Sequence, residues 1–161
     1  MIDELKYRPL TLRLIPDPVL REKAVPVQTF SSVLKDFANE MLEFMRRHDG
    51  IGLAAPQVGI LQRIVLVGSI KKPMCLVNPE IETGAKTDNL VEGCLSLPGV
   101  EVDVTRHSKV VIRAQDLEGK DIKVKERGLI ARVFQHEIDH LNGILICDHG
   151  LALTDTRPRE A

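Results

Sequence analysis

The 161-residue chain sets 22 Lys and Arg against 23 Asp and Glu, a net charge of -1, which argues against a nucleic-acid or anionic-membrane surface as its main partner. Aromatic residues make up 3% with no Trp, which removes stacking platforms for single strands, and no apolar run approaches the ~18–20 residues that span a bilayer. The length suits one domain with a real core, and three cysteines at irregular spacing (Cys75, Cys94, Cys147) do not form a disulfide framework. The mixed, acidic start Met1–Lys6 carries no signal or transit pattern, so the expectation is a cytoplasmic protein.

Residues 1–28 read as irregular, punctuated by Pro9, Pro16, Pro18 and Pro26. From Ser31 or Ser32 to Arg47, Val33, Leu34, Phe37, Ala38, Met41, Leu42, Phe44 and Met45 recur at helical spacing, which predicts an N-terminal amphipathic helix stopped near Gly50. Its apolar stripe is core packing and needs no cofactor to explain it. The Gly50–Gly59 stretch is rich in small residues that allow close backbone approach, and Gln57 adds an amide able to donate to a developing oxyanion. Strand-like runs follow at 63–67 and 74–77, then at 109–114 and 121–125 around an Asp116–Lys120 turn. Residues 128–142 return to helical composition with Gly143 as the stop, 144–146 reads as a last strand, and 151–161 as a short polar, frayed tail beyond one domain of residues 1–150. Helix, several strands, then helix is an α+β order.

The densest chemistry lies at Gln135–Gly143. On a helix, His136 and His140 share one face a turn apart and can reach one metal ion, with Glu137 beside them to take a proton from water. A catalytic site of this type wants a third protein ligand. The longer protease motif would need His at 146, which is Ile146, and the only Glu downstream is in the tail, so the ligand is expected upstream. Cys94 is the best candidate, set in a Gly93–Gly99 turn context where a thiolate would suit Zn(II) or Fe(II). Cys75 reads as a small buried hydrophobe. Cys147 and His149 follow the motif closely, with nothing in the sequence to prefer them.

Taken together, Gly50-Ile51-Gly52-Leu53-Ala54-Ala55-Pro56-Gln57, Glu92-Gly93-Cys94-Leu95-Ser96 and Gln135-His136-Glu137-Ile138-Asp139-His140-Leu141-Asn142-Gly143 resemble the three motifs of the peptide deformylases, in order and without a mismatch. Asp17–Arg21 resembles the family's N-terminal region, and the resemblance runs over roughly residues 14–148. It implies antiparallel β-sheets packed around a central helix carrying the third motif. It implies metal ligands Cys94, His136 and His140, Glu137 as general base and acid, and Gln57 with the Leu95 N–H as oxyanion donors. Glu92 and Asp139 would support the metal site, and Gly50 and Gly52 would border the peptide groove. Leu129 and Val133, about one turn before His136, are expected to take the methionine side chain; the direction of Arg132 among them is open. The implied cofactor is one divalent ion, Fe(II) in the cell, with Zn(II), Ni(II) or Co(II) able to replace it. The implied activity is removal of the formyl group from formyl-methionine of nascent polypeptides, releasing formate, in the bacterial cytoplasm.

The implied partners are N-formyl-methionyl peptides and, through nascent chains, transient contact with the ribosome, with no direct nucleic acid and no membrane. The tail lacks the long C-terminal helix of many members, so docking through such a helix is not carried over from the resemblance. Many bacterial members carry Arg seven residues after the Cys. Here it is Glu101, so no peptide contact is carried over to it, and Asp148-His149-Gly150 also departs from the family's usual residues. A general metallopeptidase would leave the first two motifs unexplained, and a closed four-ligand metal module would need a further ligand such as Cys147 or His149.

Overall fold

Two helices and an antiparallel sheet, in a computed structural model that describes residues 9–68 and 72–157, carry the residues singled out above. Helix α1, Ser32–Arg47, buries Leu34, Phe37, Ala38, Met41, Phe44 and Met45, the stripe its sequence spacing predicts. Each Leu, Phe or Met among them contributes ~1.5–3 kcal/mol when fully buried. Its C-terminus differs from the expected Gly stop. Asp49, not Gly50, takes the left-handed conformation (φ 53°), and the Gly50 N–H donates back to the Met45 carbonyl at 3.0 Å. Helix α2, Gly128–Leu141, ends as expected, with Gly143 at φ 73° and the Ile144 N–H bonded to the Asp139 carbonyl at 2.9 Å. A side chain at 143 would also strike the Arg21 carbonyl, so glycine is required twice over.

Strands β1 (Gly52–Ala54), β2 (Ile64–Val67), β3 (Met74–Cys94), β4 (Leu97–Gln115) and β5 (Asp121–Arg127) follow one another as antiparallel neighbours. Strand β2 is buried on both faces. Ile64 and Leu66 pack toward α1, and Val65 and Val67 toward α2, so the sheet separates the two helices. Against α2 the core joins Val110 and Ile112 of β4 to Ala131, Phe134, Ile138 and Leu141. No helix among the described residues is long and apolar enough to cross a membrane.

Three differences from the sequence reading have physical causes. The strands read at 74–77 and 109–114 are the outer ends of a much longer hairpin, paired from Val77–Gln115 down to Cys94–Leu97. Most of its β3 arm, residues 80–91, is exposed, so it lacks the buried alternation that marks a strand. Residues 144–146 are not a strand. A 3-10 turn forms at Ile146–Asp148, where the Asp148 carboxylate accepts the Leu145 N–H at 2.9 Å and meets Arg21. Within the polar tail, Ala152–Asp155 forms strand β6 on β4, and the Thr154 hydroxyl donates to Glu101 at 3.3 Å. Met1–Lys6 and residues 158–161 lie outside the described residues.

Candidate metal and catalytic site

The closed end of the long β3–β4 hairpin brings one cysteine to one helix. Cys94 ends β3, Leu95 and Ser96 form the two-residue turn, and the ladder closes at Cys94–Leu97. That turn faces α2, whose residues His136 and His140 project from one face. A ligating atom from each of Cys94, His136 and His140 lies within 4.8 Å of the others, and Cys94 Sγ is 3.4 Å from His140 Nε2. The imidazole rings meet edge-on, 5.1 Å between centroids.

The glycine-rich segment supplies the amide. Gln57 sits in a 3-10 turn (Ala55–Val58) and is buried. The Ala54 N–H donates to its Oε1 at 2.9 Å, which settles the amide orientation: the NH2 faces Ser96 Oγ at 3.3 Å and the Cys94 sulfur at 3.8 Å. Gly52 has a cause the sequence did not reveal. A Cβ there would lie 2.6 Å from Glu137 Oε1 and 2.7 Å from Val133 Cγ1, so the glycine makes room for the carboxylate rather than for a ligand alone.

Glu92 organises the far side. Arg106 binds it through two nitrogens at 3.0 Å each, Arg132 Nη1 reaches its Oε2 at 2.6 Å, and His136 Nδ1 lies 2.8 Å from its Oε1. Arg106 also holds Asp139 at 2.5 Å, and the exposed His149 adds a contact to the same Asp139 oxygen at 2.8 Å. Arg106 is the functional residue the sequence reading missed. Its signal was there: it continues the inward parity of Val100, Val102 and Val104 on β4 and is itself buried.

Charge states follow from these surroundings. Burial lowers the His136 pKa, but its bonds to Cys94 and Glu92 and the charges of Glu137 and Cys94 outweigh it and raise the value to about 10. His140 is pushed well below the usual imidazole value by burial, then by the His136 and Arg106 charges. Burial raises Glu137 to about 7, a value suited to taking and returning a proton near neutral pH. Burial alone lifts Cys75 to about 12, so that thiol is inert. Cys147 is exposed beside Arg21, and neither it nor His149 belongs to the Cys94 cluster.

The donor set fits a divalent ion. A thiol and two imidazoles face a common point, and an ion bound there would displace the proton of His136. Among the described residues, Glu137 Oε2 and His140 Nδ1 are buried without a hydrogen-bond partner. A pocket of ≈ 470 Å³ opens beside them. Gly50, Ile51 and Gly52 form one side, Gly93 to Leu95 another, and Leu129, Arg132 and Val133 of α2 a third, with Gln57, His136 and Glu137 also on the lining. His140 lies behind the lining, fully buried. A cysteine and two histidines able to hold a metal, with a buried carboxylate in an apolar pocket, are the site of a metal-dependent hydrolase.

The comparisons with known proteins narrow that class. The family model described as polypeptide deformylase matches residues 9–156. The chain is 46% identical to a peptide deformylase of Dictyoglomus thermophilum over 89% of this chain and 94% of that one. It is also 46% identical to the enzyme of Thermotoga neapolitana, over 85% and 84% of the two chains. Among solved structures it resembles the peptide deformylase of Thermotoga maritima (TM-score 0.85, 42% identity, 89% and 98% covered). It likewise resembles that of Synechococcus elongatus in complex with actinonin (TM-score 0.85, 42% identity, 90% and 80% covered). The chain belongs to the polypeptide deformylase family, metal-dependent hydrolases that remove the N-terminal formyl group of nascent polypeptides.

Proposed function

We propose that this chain releases formate from formyl-methionyl nascent peptides in the pocket between β1, the β3–β4 turn and α2. Cys94, His136 and His140 hold one divalent ion, which supplies Lewis acidity. The Glu137 carboxylate accepts the proton of the attacking water and returns it to the departing α-amine. The Gln57 amide and the Leu95 N–H donate to the formyl oxygen as charge builds on it, each such donor contributing ~3–4 kcal/mol in the transition state. Leu129 and Val133 take the methionine side chain. Gly50 and Gly52 border an extended peptide that pairs through its backbone, which suits many nascent chains sharing only their first residue.

The observation that carries this reading is the cluster of three ligating atoms within 4.8 Å next to a carboxylate with an unpartnered buried oxygen. Fe(II) is the metal assigned in the cell, with Zn(II), Ni(II) or Co(II) as substitutes. Thiolate donation weakens Lewis acidity and makes rate depend on the ion. The reading includes α2 as the central helix of the fold with amphipathic α1 before it, a single catalytic domain over residues 1–150 with 151–161 as a short tail, the bacterial cytoplasm, and transient contact with the ribosome.

The test is formate release from formyl-Met-Ala-Ser by anaerobically prepared protein, with metal content measured on the same sample. Turnover proportional to about one ion per chain is expected. Cleavage of unblocked peptides with no formate release would instead make the protein a general metallopeptidase.

A further inference from the structure

We propose that Arg132 both walls the methionine pocket and positions His136, so that one side chain links substrate selectivity to the shape of the metal cradle. The selectivity half rests on the functional reading above. Arg132 lies one turn before His136 on α2 and lines the pocket between Leu129 and Val133, with 5% of its side chain exposed. Both terminal nitrogens of its guanidinium are occupied. Nη1 donates to Glu92 Oε2 at 2.6 Å and to the Val104 carbonyl at 2.8 Å, and Nη2 to the Asp88 carbonyl at 2.9 Å and its Oδ1 at 2.7 Å. A head group bound this way offers the pocket no free cation. It offers a stem locked in one rotamer, a stiff wall that a flexible apolar residue would not provide.

The second half follows from Glu92. The carboxylate that Arg132 fixes through one oxygen holds His136 Nδ1 through the other, at 2.8 Å. Partners behind a ligating imidazole set its ring orientation, and their loss costs 10–100-fold in metal affinity. The two halves are separable because Asp88 anchors the guanidinium from outside, 48% exposed, whereas Glu92 anchors it from within.

The experiment compares wild type, Arg132→Met, Arg132→Lys and Asp88→Ala. Formate release is followed from formyl-Met-Ala-Ser and formyl-Phe-Ala-Ser, with kcat and KM separated, and nickel loss from the nickel-loaded proteins to EDTA is timed. Arg132→Met should lower the Met-to-Phe ratio of kcat/KM about tenfold and speed nickel loss about tenfold, within the range one pocket contact and one supporting partner carry. Arg132→Lys keeps a cation on Glu92 but loses the fork. It should restore nickel retention to within about threefold of wild type without restoring selectivity. Asp88→Ala should lower the ratio about threefold and leave nickel loss within about twofold, because the Glu92 contact remains. If Arg132→Met changes thermal stability alone, Arg132 is only a staple of α2 to the hairpin and the proposal falls. If that variant does not fold, an unchanged ratio in Asp88→Ala overturns it. A wild type that releases no formate from either peptide defeats the functional reading, while the nickel arm still decides the positioning of His136.

Discussion

His136 and His140 sit one turn apart on the same helix, yet the ground around them is opposite. His136 leans on a charged scaffold: Glu92 at 2.8 Å, itself gripped by Arg106 and Arg132, with Asp139 beyond. His140 has no such support. It is fully buried, its Nδ1 has no partner among the described residues, and burial with neighbouring positive charge keeps it neutral. One ring is held by a hydrogen-bonded network and the other by packing. Spacing makes two histidines equivalent on paper; what the rest of the chain puts behind each one decides how it is held and which proton it keeps.

The largest effect should come from the packed side. His140→Ala removes a ligand for which the dry surroundings offer no substitute. Activity should fall by more than about a thousandfold with loss of bound metal, whereas Glu137→Gln should lose activity by about 10²–10⁴-fold and keep the metal. Metal analysis beside formate release separates the two, and a metal-free Glu137→Gln protein would show that this carboxylate holds the cradle together.

On the networked side, a smaller loss is expected. Glu92→Gln leaves His136 able to ligate but strips its support, so metal affinity measured against a chelator should drop 10–100-fold. It also leaves Arg106 paired with Asp139 alone and Arg132 with Asp88 alone, so stability in urea unfolding should fall, by less than the ~3–5 kcal/mol of a buried charge stripped of every partner. An affinity within twofold of wild type would mean that His136, like His140, is held by packing, and the contrast between the two rings would collapse.

The smallest effect is a pH dependence of that same network. Burial alone would raise the Glu92 carboxyl, but its bonds to His136 and Arg106 and their charges hold it far below the ordinary carboxylate value. A depressed folded-state value means the unfolded chain takes up the proton first. The stabilisation is therefore complete above about pH 4.5, near the value of a free Glu, and is lost progressively as pH falls below it. Metal-free wild type should lose stability through that acid range, and Glu92→Gln should show a flatter slope in denaturant titrations. Parallel slopes would remove Glu92 as the source.

How much of this was legible varies with how local the cause is. Helix α1 was readable because its stripe repeats within the helix, and α2 because the apolar spacing and Gly143 frame the His-Glu-x-x-His pair. The Asp116–Lys120 turn was readable because Asp116 caps its own turn, accepting from Glu118 and Lys120. The exposed middle of β3 was not, because its pairing partner is β4 and its own residues face water. Cys94 was distinguishable from Cys75 only by context, and residue reasoning alone left other thiols and His149 in play. Arg106 escaped notice, and the direction of Arg132 stayed open, because a charged side chain reads as surface until a partner across the core neutralises it.

The sequence by itself determined the two helices, the helical spacing of His136, Glu137 and His140, and, through three motifs in order, the family and its chemistry. Those features depend on residues within a few turns of one another. Only the tertiary structure decided that Cys94 meets the two imidazoles, that Gln57 turns its NH2 inward, that Gly52 yields its space to Glu137, and that Glu92, Arg106 and Arg132 stand behind His136 and not His140. These contacts join residues 14 to 85 positions apart. Their geometry is set by strand register and helix packing, which no local pattern of side chains encodes.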